Sequence, residues 1–120
     1  MTVRRRKTYT GETGLVYQYY FVGERRSLPQ AAAGPATEFV FDVNADDRLT
    51  FAVSVFLRDD AVDVWTRRHG RGLTAAERYA AAKVRLLRAF DQIPDLLGHG
   101  RRLSVDAAAL DDILAGLGRD

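Results

Sequence analysis

The stretch Thr37-Glu38-Phe39-Val40-Phe41-Asp42-Val43-Asn44-Ala45-Asp46-Asp47-Arg48-Leu49-Thr50-Phe51-Ala52-Val53-Ser54-Val55-Phe56-Leu57 decides the fold class. Phe39, Phe41 and Val43 alternate with Glu38, Val40 and Asp42. Leu49, Phe51, Val53, Val55 and Leu57 alternate with Thr50, Ala52, Ser54 and Phe56. Successive side chains of a strand point to opposite faces, so this spacing predicts strands over Thr37–Val43 and Leu49–Leu57, each with one strongly apolar face. The short polar run Asn44–Asp47 joins them as a turn.

Towards the N-terminus, Leu15, Tyr17, Tyr19 and Phe21 alternate with Val16, Gln18, Tyr20 and Val22, which predicts a third strand over Leu15–Val22. Thr10-Gly11-Glu12-Thr13-Gly14 has turn composition, so Val3–Tyr9 is expected to pair with that strand as a basic edge. Residues 1–14 thus read as a basic strand and turn. Residues 23–36 contain Pro29, Gly34, Pro35 and three alanines, and are expected to form a mobile loop.

Towards the C-terminus the period changes from two to 3.6. Asp59 or Asp60 is expected to cap a helix that runs to about His69 and stops at Gly70. Thr74-Ala75-Ala76-Glu77 has the form of a capping box, which predicts a second helix from Ala75 to Asp91, ended by Ile93-Pro94. Ser104 is expected to cap a third, in which Leu110, Ile113, Leu114 and Leu117 share one face before Gly118. Strands followed by helices predict an α+β domain spanning residues 1–120: an antiparallel β-meander of three to four strands, then three helices packed on one face of the sheet.

Composition narrows the function classes. The chain has 120 residues with 47% hydrophobic and 28% charged content, which excludes wholesale disorder. No run of 18 apolar residues occurs, so no membrane partner is expected, and the basic N-terminus lacks the apolar stretch of a secretory signal. The absence of cysteine excludes disulfides and thiolate chemistry, and fits a cytoplasmic protein. Sixteen of the 18 basic residues are arginine, and alanine runs recur at 31–33, 80–82 and 107–109. That bias reads as GC-rich coding and a bacterial source.

Metal and cofactor signals are missing. His69 and His99 are 30 residues apart with no ligand spacing, and the acid pairs Asp46/Asp47, Asp59/Asp60 and Asp111/Asp112 are adjacent, so their side chains diverge. No phosphate-binding glycine loop or nucleophile elbow is present. No metal and no cofactor are therefore expected, and no small-molecule ligand is identified.

Three constellations remain. On a helical wheel of residues 75–91, Lys83 falls in the middle of an arc formed by Ala76, Tyr79, Ala80, Leu86, Leu87 and Phe90. A lysine there must snorkel, pair with Asp59, Asp60 or Asp63, or become a neutral amine able to act as base or nucleophile, with Tyr79 beside it. A packing compromise is the preferred reading. His69 shares a face with Ala61 and Trp65 and reads as a capping residue or, in a cleft, a general base.

The second constellation is electrostatic. Residues 1–26 carry a net charge of +4 and residues 27–120 a net of −2. Arg4, Arg5, Arg6, Lys7, Arg25 and Arg26 beside an aromatic strand form a candidate nucleic-acid surface. The third is the second face of the sheet, where Tyr20, Val40 and Phe56 are too apolar for comfortable exposure and mark a candidate interface. The leading expectation is a small module acting by protein association, as a homodimer or on another protein. Nucleic-acid binding through the basic N-terminal segment comes second. An enzyme or ligand-binding protein using Lys83 in a helix–sheet cleft comes third.

Overall fold

A computed structural model describes residues 6–27, 34–46 and 48–118. The strands β1 (Lys7–Thr10), β2 (Val16–Arg26), β3 (Ala36–Ala45) and β4 (Thr50–Arg58) form an antiparallel meander. The helices α1 (Asp59–His69), α2 (Ala75–Gln92) and α3 (Leu96–His99) follow, then β5 (Arg102–Val105) and α4 (Ala107–Gly116). Among the described residues the sheet has five strands in the order β1-β2-β3-β4-β5, and β5 lies parallel to β4. The class is α+β, with one strand more than the alternation predicts.

The fifth strand is short for a reason. Only Leu103 and Val105 turn into the core, so four residues carry too little alternation to be seen in the sequence. A strand parallel to its neighbour needs a long crossover, and α1, α2 and α3 supply it. Ser104 therefore lies in β5 and caps nothing; Asp106 caps α4 by accepting from the Ala109 N–H. Arg85 of α2 donates to the Ser104 carbonyl at 3.1 Å, occupying an acceptor on this edge strand.

Other boundaries shift as well. Arg58, not Asp59 or Asp60, stands at the N-cap of α1, and the two aspartates occupy the first turn, where the helix dipole favours them. Gly70 ends the helix in the left-handed region at φ 71°. The Thr74 capping box forms in both directions, and Ile93 ends α2. Gly23–Arg26 belong to β2, so the expected 23–36 loop is shorter than its composition suggested. Residues 28–33 lie outside the described residues, as do Arg4, Arg5 and the Val3–Arg5 part of the expected edge strand.

One face of the sheet enters the main core. Tyr17, Tyr19, Phe39, Phe41, Val43, Val53, Val55 and Leu57 join Trp65 of α1, Leu86 and Phe90 of α2, and Leu110, Ile113 and Leu114 of α4. Burial at ~25 cal/mol per Å2 of apolar surface makes this cluster the main stabilising element. Among the described residues, the opposite, outer face adds a separate small buried pair, Ala36 and Phe56.

The buried stripe of α2 is centred on Ala82, Leu86 and Ala89, with Ala81 also fully buried. Leu86 lies about 60° around the helix from Lys83, so Lys83 sits at the rim of the stripe and not at its middle. The helix is rolled because α4 packs along its flank as well as the sheet beneath it. Ala81 and Ala82 fill those contacts, and an alanine does not announce which face it takes.

Candidate functional site

The sheet's register decides where the candidate residues go. In β2, Phe21 pairs with Phe41 but Gly23 pairs with Val40, so Val22 is an extra residue: a β-bulge. Beyond it the alternation is inverted. Arg25 now pairs with Glu38 and shares the outer face with Tyr20, Asp42, Val40, Ala52, Ser54 and Phe56. Without the bulge, Arg25 would point the same way as Tyr17 and Tyr19, into the core.

A shallow groove of about 760 Å3 crosses this outer face. Arg25 and Arg26 line its β2 side, Arg101 and Arg102 its β5 side, and Glu38, Ala52, Ser54 and Phe56 complete it. Glu38 is buried, with a relative exposure of 7%. Its carboxylate accepts from Arg25 Nε at 2.9 Å and Nη2 at 3.3 Å, and from the Ser54 hydroxyl at 2.6 Å. The bond from Arg25 is the largest of the effects that hold the Glu38 carboxyl below its ordinary range, against the opposing effect of burial. A buried carboxylate fastened on three sides fixes the guanidinium of Arg25, whose side chain is otherwise 70% exposed.

The remaining arginines are also held. Arg26 donates to both oxygens of Asp59, at 3.0 and 2.6 Å, and to Thr37 Oγ at 3.1 Å. Arg101 Nε donates to the Ala52 carbonyl at 3.2 Å. The Arg102 guanidinium lies 5.6 Å from the centre of the Phe56 ring, a cation–π contact. Phe56 is consequently 3% exposed, and Tyr20 and Val40 are half-buried. Arg6 stands near the same face, donating to Gln18 at 3.1 Å.

The expected interface residues and three of the expected nucleic-acid residues, Arg6, Arg25 and Arg26, therefore gather on or beside one surface. Lys7 does not join them. It pairs with Tyr19 in the register, turns towards α2, and meets Lys83. Glu38, Ser54, Arg101 and Arg102 were missed by sequence reasoning. The one signal was Glu38 itself, an acid that alternation sets on the same face as Val40 and Phe56.

Lys83 and Tyr79 stay apart from the groove. Tyr79 packs edge-on against Phe21, with ring centres 5.1 Å apart. Lys83 is half-buried and makes no ion pair among the described residues; Asp59 is taken by Arg26 and Asp60 by Arg58. Burial first, and then the neighbouring Lys7, pulls its ammonium below the ordinary value of 10.5. Lys83→Met is expected to raise the melting temperature at neutral pH, because it replaces a desolvated cation beside a like charge with an apolar chain of similar length. The variant's advantage over the wild type should shrink as pH climbs towards 10.5, where the unfolded chain also loses the Lys83 proton; Tyr9, Tyr17 and Tyr19, all raised from 10.0, act alike in both proteins. Thermal unfolding followed by circular dichroism checks both, and a lower melting temperature for the variant contradicts the account.

His69 sits between helices. Its ring stacks on Trp65 at 4.2 Å, and Nε2 lies 3.2 Å from Asp111 of α4. Arg71 covers the indole at 4.8 Å. This arrangement ties α1 to α4 and accounts for His69 as packing. Among the described residues no group of three or more acidic or histidine side chains is placed to hold a metal ion, and no helix is long and apolar enough to cross a membrane.

Compared with protein-family models, with curated proteins and with solved structures, the chain finds no match in any of the three.

Proposed function

We propose that the protein is an association module whose working surface is the outer face of its sheet, and that it binds another protein there. The observation that carries this reading is the composition of that face. Half-buried Val40 stands beside an arginine-lined groove, and Val16, 37% exposed, lies further along the same face; the guanidiniums of Arg25, Arg26 and Arg101 are held by hydrogen bonds and that of Arg102 by a cation–π contact. Protein interfaces combine such apolar ground with arginine anchors. Holding the arginines in place beforehand lowers the entropy lost on binding.

Nucleic-acid binding is the second reading, favoured by the presence of Arg6, Arg25 and Arg26 on or beside the same surface. Sequence-tolerant binding of single strands relies on exposed rings that stack on bases. Phe56 is buried and Tyr20 is half-buried, so among the described residues this face shows no row of exposed rings. Valines cannot substitute for it.

The test uses the immobilised chain against extract of its source cells, with Tyr20→Asp and Val40→Asp as controls. Both positions are half-buried, so the fold is expected to survive, as near-native circular dichroism would show. The wild type should retain a defined protein that both variants lose. Light scattering on the purified chain shows whether that partner is a second copy. Equal retention by folded variants, with a monomer by light scattering, would remove the outer face from consideration.

A further inference from the structure

We infer that a pocket on the helix-covered side of the sheet binds a neutral, mostly apolar small molecule, with the Tyr17 hydroxyl donating a hydrogen bond to a carbonyl oxygen of that ligand. The pocket is separate from the outer face, so the inference does not depend on the association reading.

An unsatisfied hydroxyl carries the inference. Tyr17 is 2% exposed, and its ring stacks on Phe90. A buried tyrosine ordinarily finds a hydrogen-bond partner for its hydroxyl. Tyr9, the cross-strand neighbour of Tyr17, follows that rule by bonding to Asp91. The Tyr17 hydroxyl makes no hydrogen bond among the described residues. It is not sealed away either, because the fully enclosed unpartnered side-chain atoms of those residues are Asn44 Oδ1 and Trp65 Nε1.

Tyr17 lines a pocket of about 360 Å3 between the β2, β3 and β4 ends of the sheet and α3. That volume lies within the range of small-molecule sites. Buried Phe51 and Leu96 and half-buried Leu15 supply apolar walls beside Tyr17. Leu49, 66% exposed, and exposed Leu97 also line it. Exposed leucines gathered around a concavity mark a binding surface.

The same residues define the ligand. Burial, and then the charges of Asp46 and Asp91, hold the Tyr17 hydroxyl above its ordinary value of 10.0, so it stays protonated and donates. A charged group brought to it would be desolvated between apolar walls with only a neutral hydroxyl to bond. The rim favours neither sign. Asp46 and Asp95 accept from the Val16 and Gly98 N–H groups at 3.1 and 3.0 Å, and Arg48 stands on the same rim.

The experiment is an amide chemical-shift titration of the full chain with indanone and with coumarin, two neutral bicyclic carbonyl compounds. Aminoindane and indanecarboxylate serve as charged counterparts. The neutral pair should shift the Leu15, Leu49, Phe51 and Leu97 amides at millimolar concentration, ahead of either charged compound. Tyr17→Phe should weaken them about fivefold, the worth of one neutral hydrogen bond, without lowering the melting temperature. Leu49→Asn, at an exposed position, should weaken them as well.

Absence of shifts from both neutral compounds overturns the inference, as do shifts confined to another surface. So does a charged counterpart that binds as tightly, or equal affinity of Tyr17→Phe and wild type. A lower melting temperature for Tyr17→Phe would show that the hydroxyl serves the fold instead. A protein partner or a dimer that Leu49→Asn abolishes would give the pocket to a protein side chain and equally overturn it.

Discussion

Phe90→Ala is expected to destabilise the protein by about 4 kcal/mol, the largest effect of any single substitution considered. Its ring is the point at which α2 grips the N-terminal strands. It stacks on Tyr17 with centres 4.2 Å apart and planes 6° from parallel, and also touches Tyr9 at 5.7 Å and Tyr19 at 5.8 Å. Truncation leaves a cavity and removes three ring contacts, each worth about 0.5–1.5 kcal/mol beyond area burial. Four-residue β1 depends on this contact, because Tyr9 is held by Phe90 and by a hydrogen bond from its hydroxyl to Asp91. Domains of this size have about 5–15 kcal/mol in all. Urea unfolding should show a sharply lower midpoint with an unchanged slope. A loss below about 1 kcal/mol would mean that α2 does not depend on this ring for its hold on the sheet.

Glu77→Gln carries the second largest effect, and it depends on pH. Glu77 is 6% exposed; it accepts from Arg71 at 2.9 and 2.8 Å and from the Thr74 N–H at 2.9 Å, closing the capping box of α2. Those bonds, the one from Arg71 first, lower its pKa from 4.5 to about 2. A lowered folded value means that the unfolded chain binds the proton more readily, so the ionised form contributes stability at neutral pH. At about 1.4 kcal/mol per unit the contribution is about 3 kcal/mol, present above pH 4.5 and lost as pH falls to about 2. Glu38, Asp59 and Asp91 are also held below their ordinary ranges and add to the acid sensitivity of both proteins. The diagnostic is therefore the difference between wild type and variant. It should be about 2–3 kcal/mol at pH 7 and shrink towards zero at pH 2, read from denaturant unfolding at each pH. A difference that does not change with pH would assign the loss to packing.

Much of the fold is local, and the local part is legible. The alternation of Phe39, Phe41 and Val43 and of Phe51, Val53 and Val55 reports a sheet with one buried face, and those six side chains do fill the core. Thr74 with Glu77, and Ile93 before Pro94, mark both ends of α2 because caps satisfy backbone groups within a few residues. β5 escapes because its pairing with Ser54–Leu57 is made across about fifty residues, and two inward side chains are too few to form a pattern. The roll of α2 escapes for a related reason. Alanine is small and apolar on every face, so only the positions of α4 and the sheet decide that Ala82 is buried and Lys83 is at the rim.

The candidate site divides in the same way. That Tyr20, Val40 and Phe56 share a face follows from period-two alternation, and the excess of positive charge in the first 26 residues from counting charges. That Arg25 belongs to this face, beside Glu38 and opposite Arg102, does not. Counted from Tyr17, every second residue leads Arg25 into the core. One unpaired residue at Val22 reverses the count and carries it to the groove. Alternation is a property of the chain, so the sequence determines it; a bulge is a property of how two strands meet, so the register with β3 had to be seen before the arginine had a place.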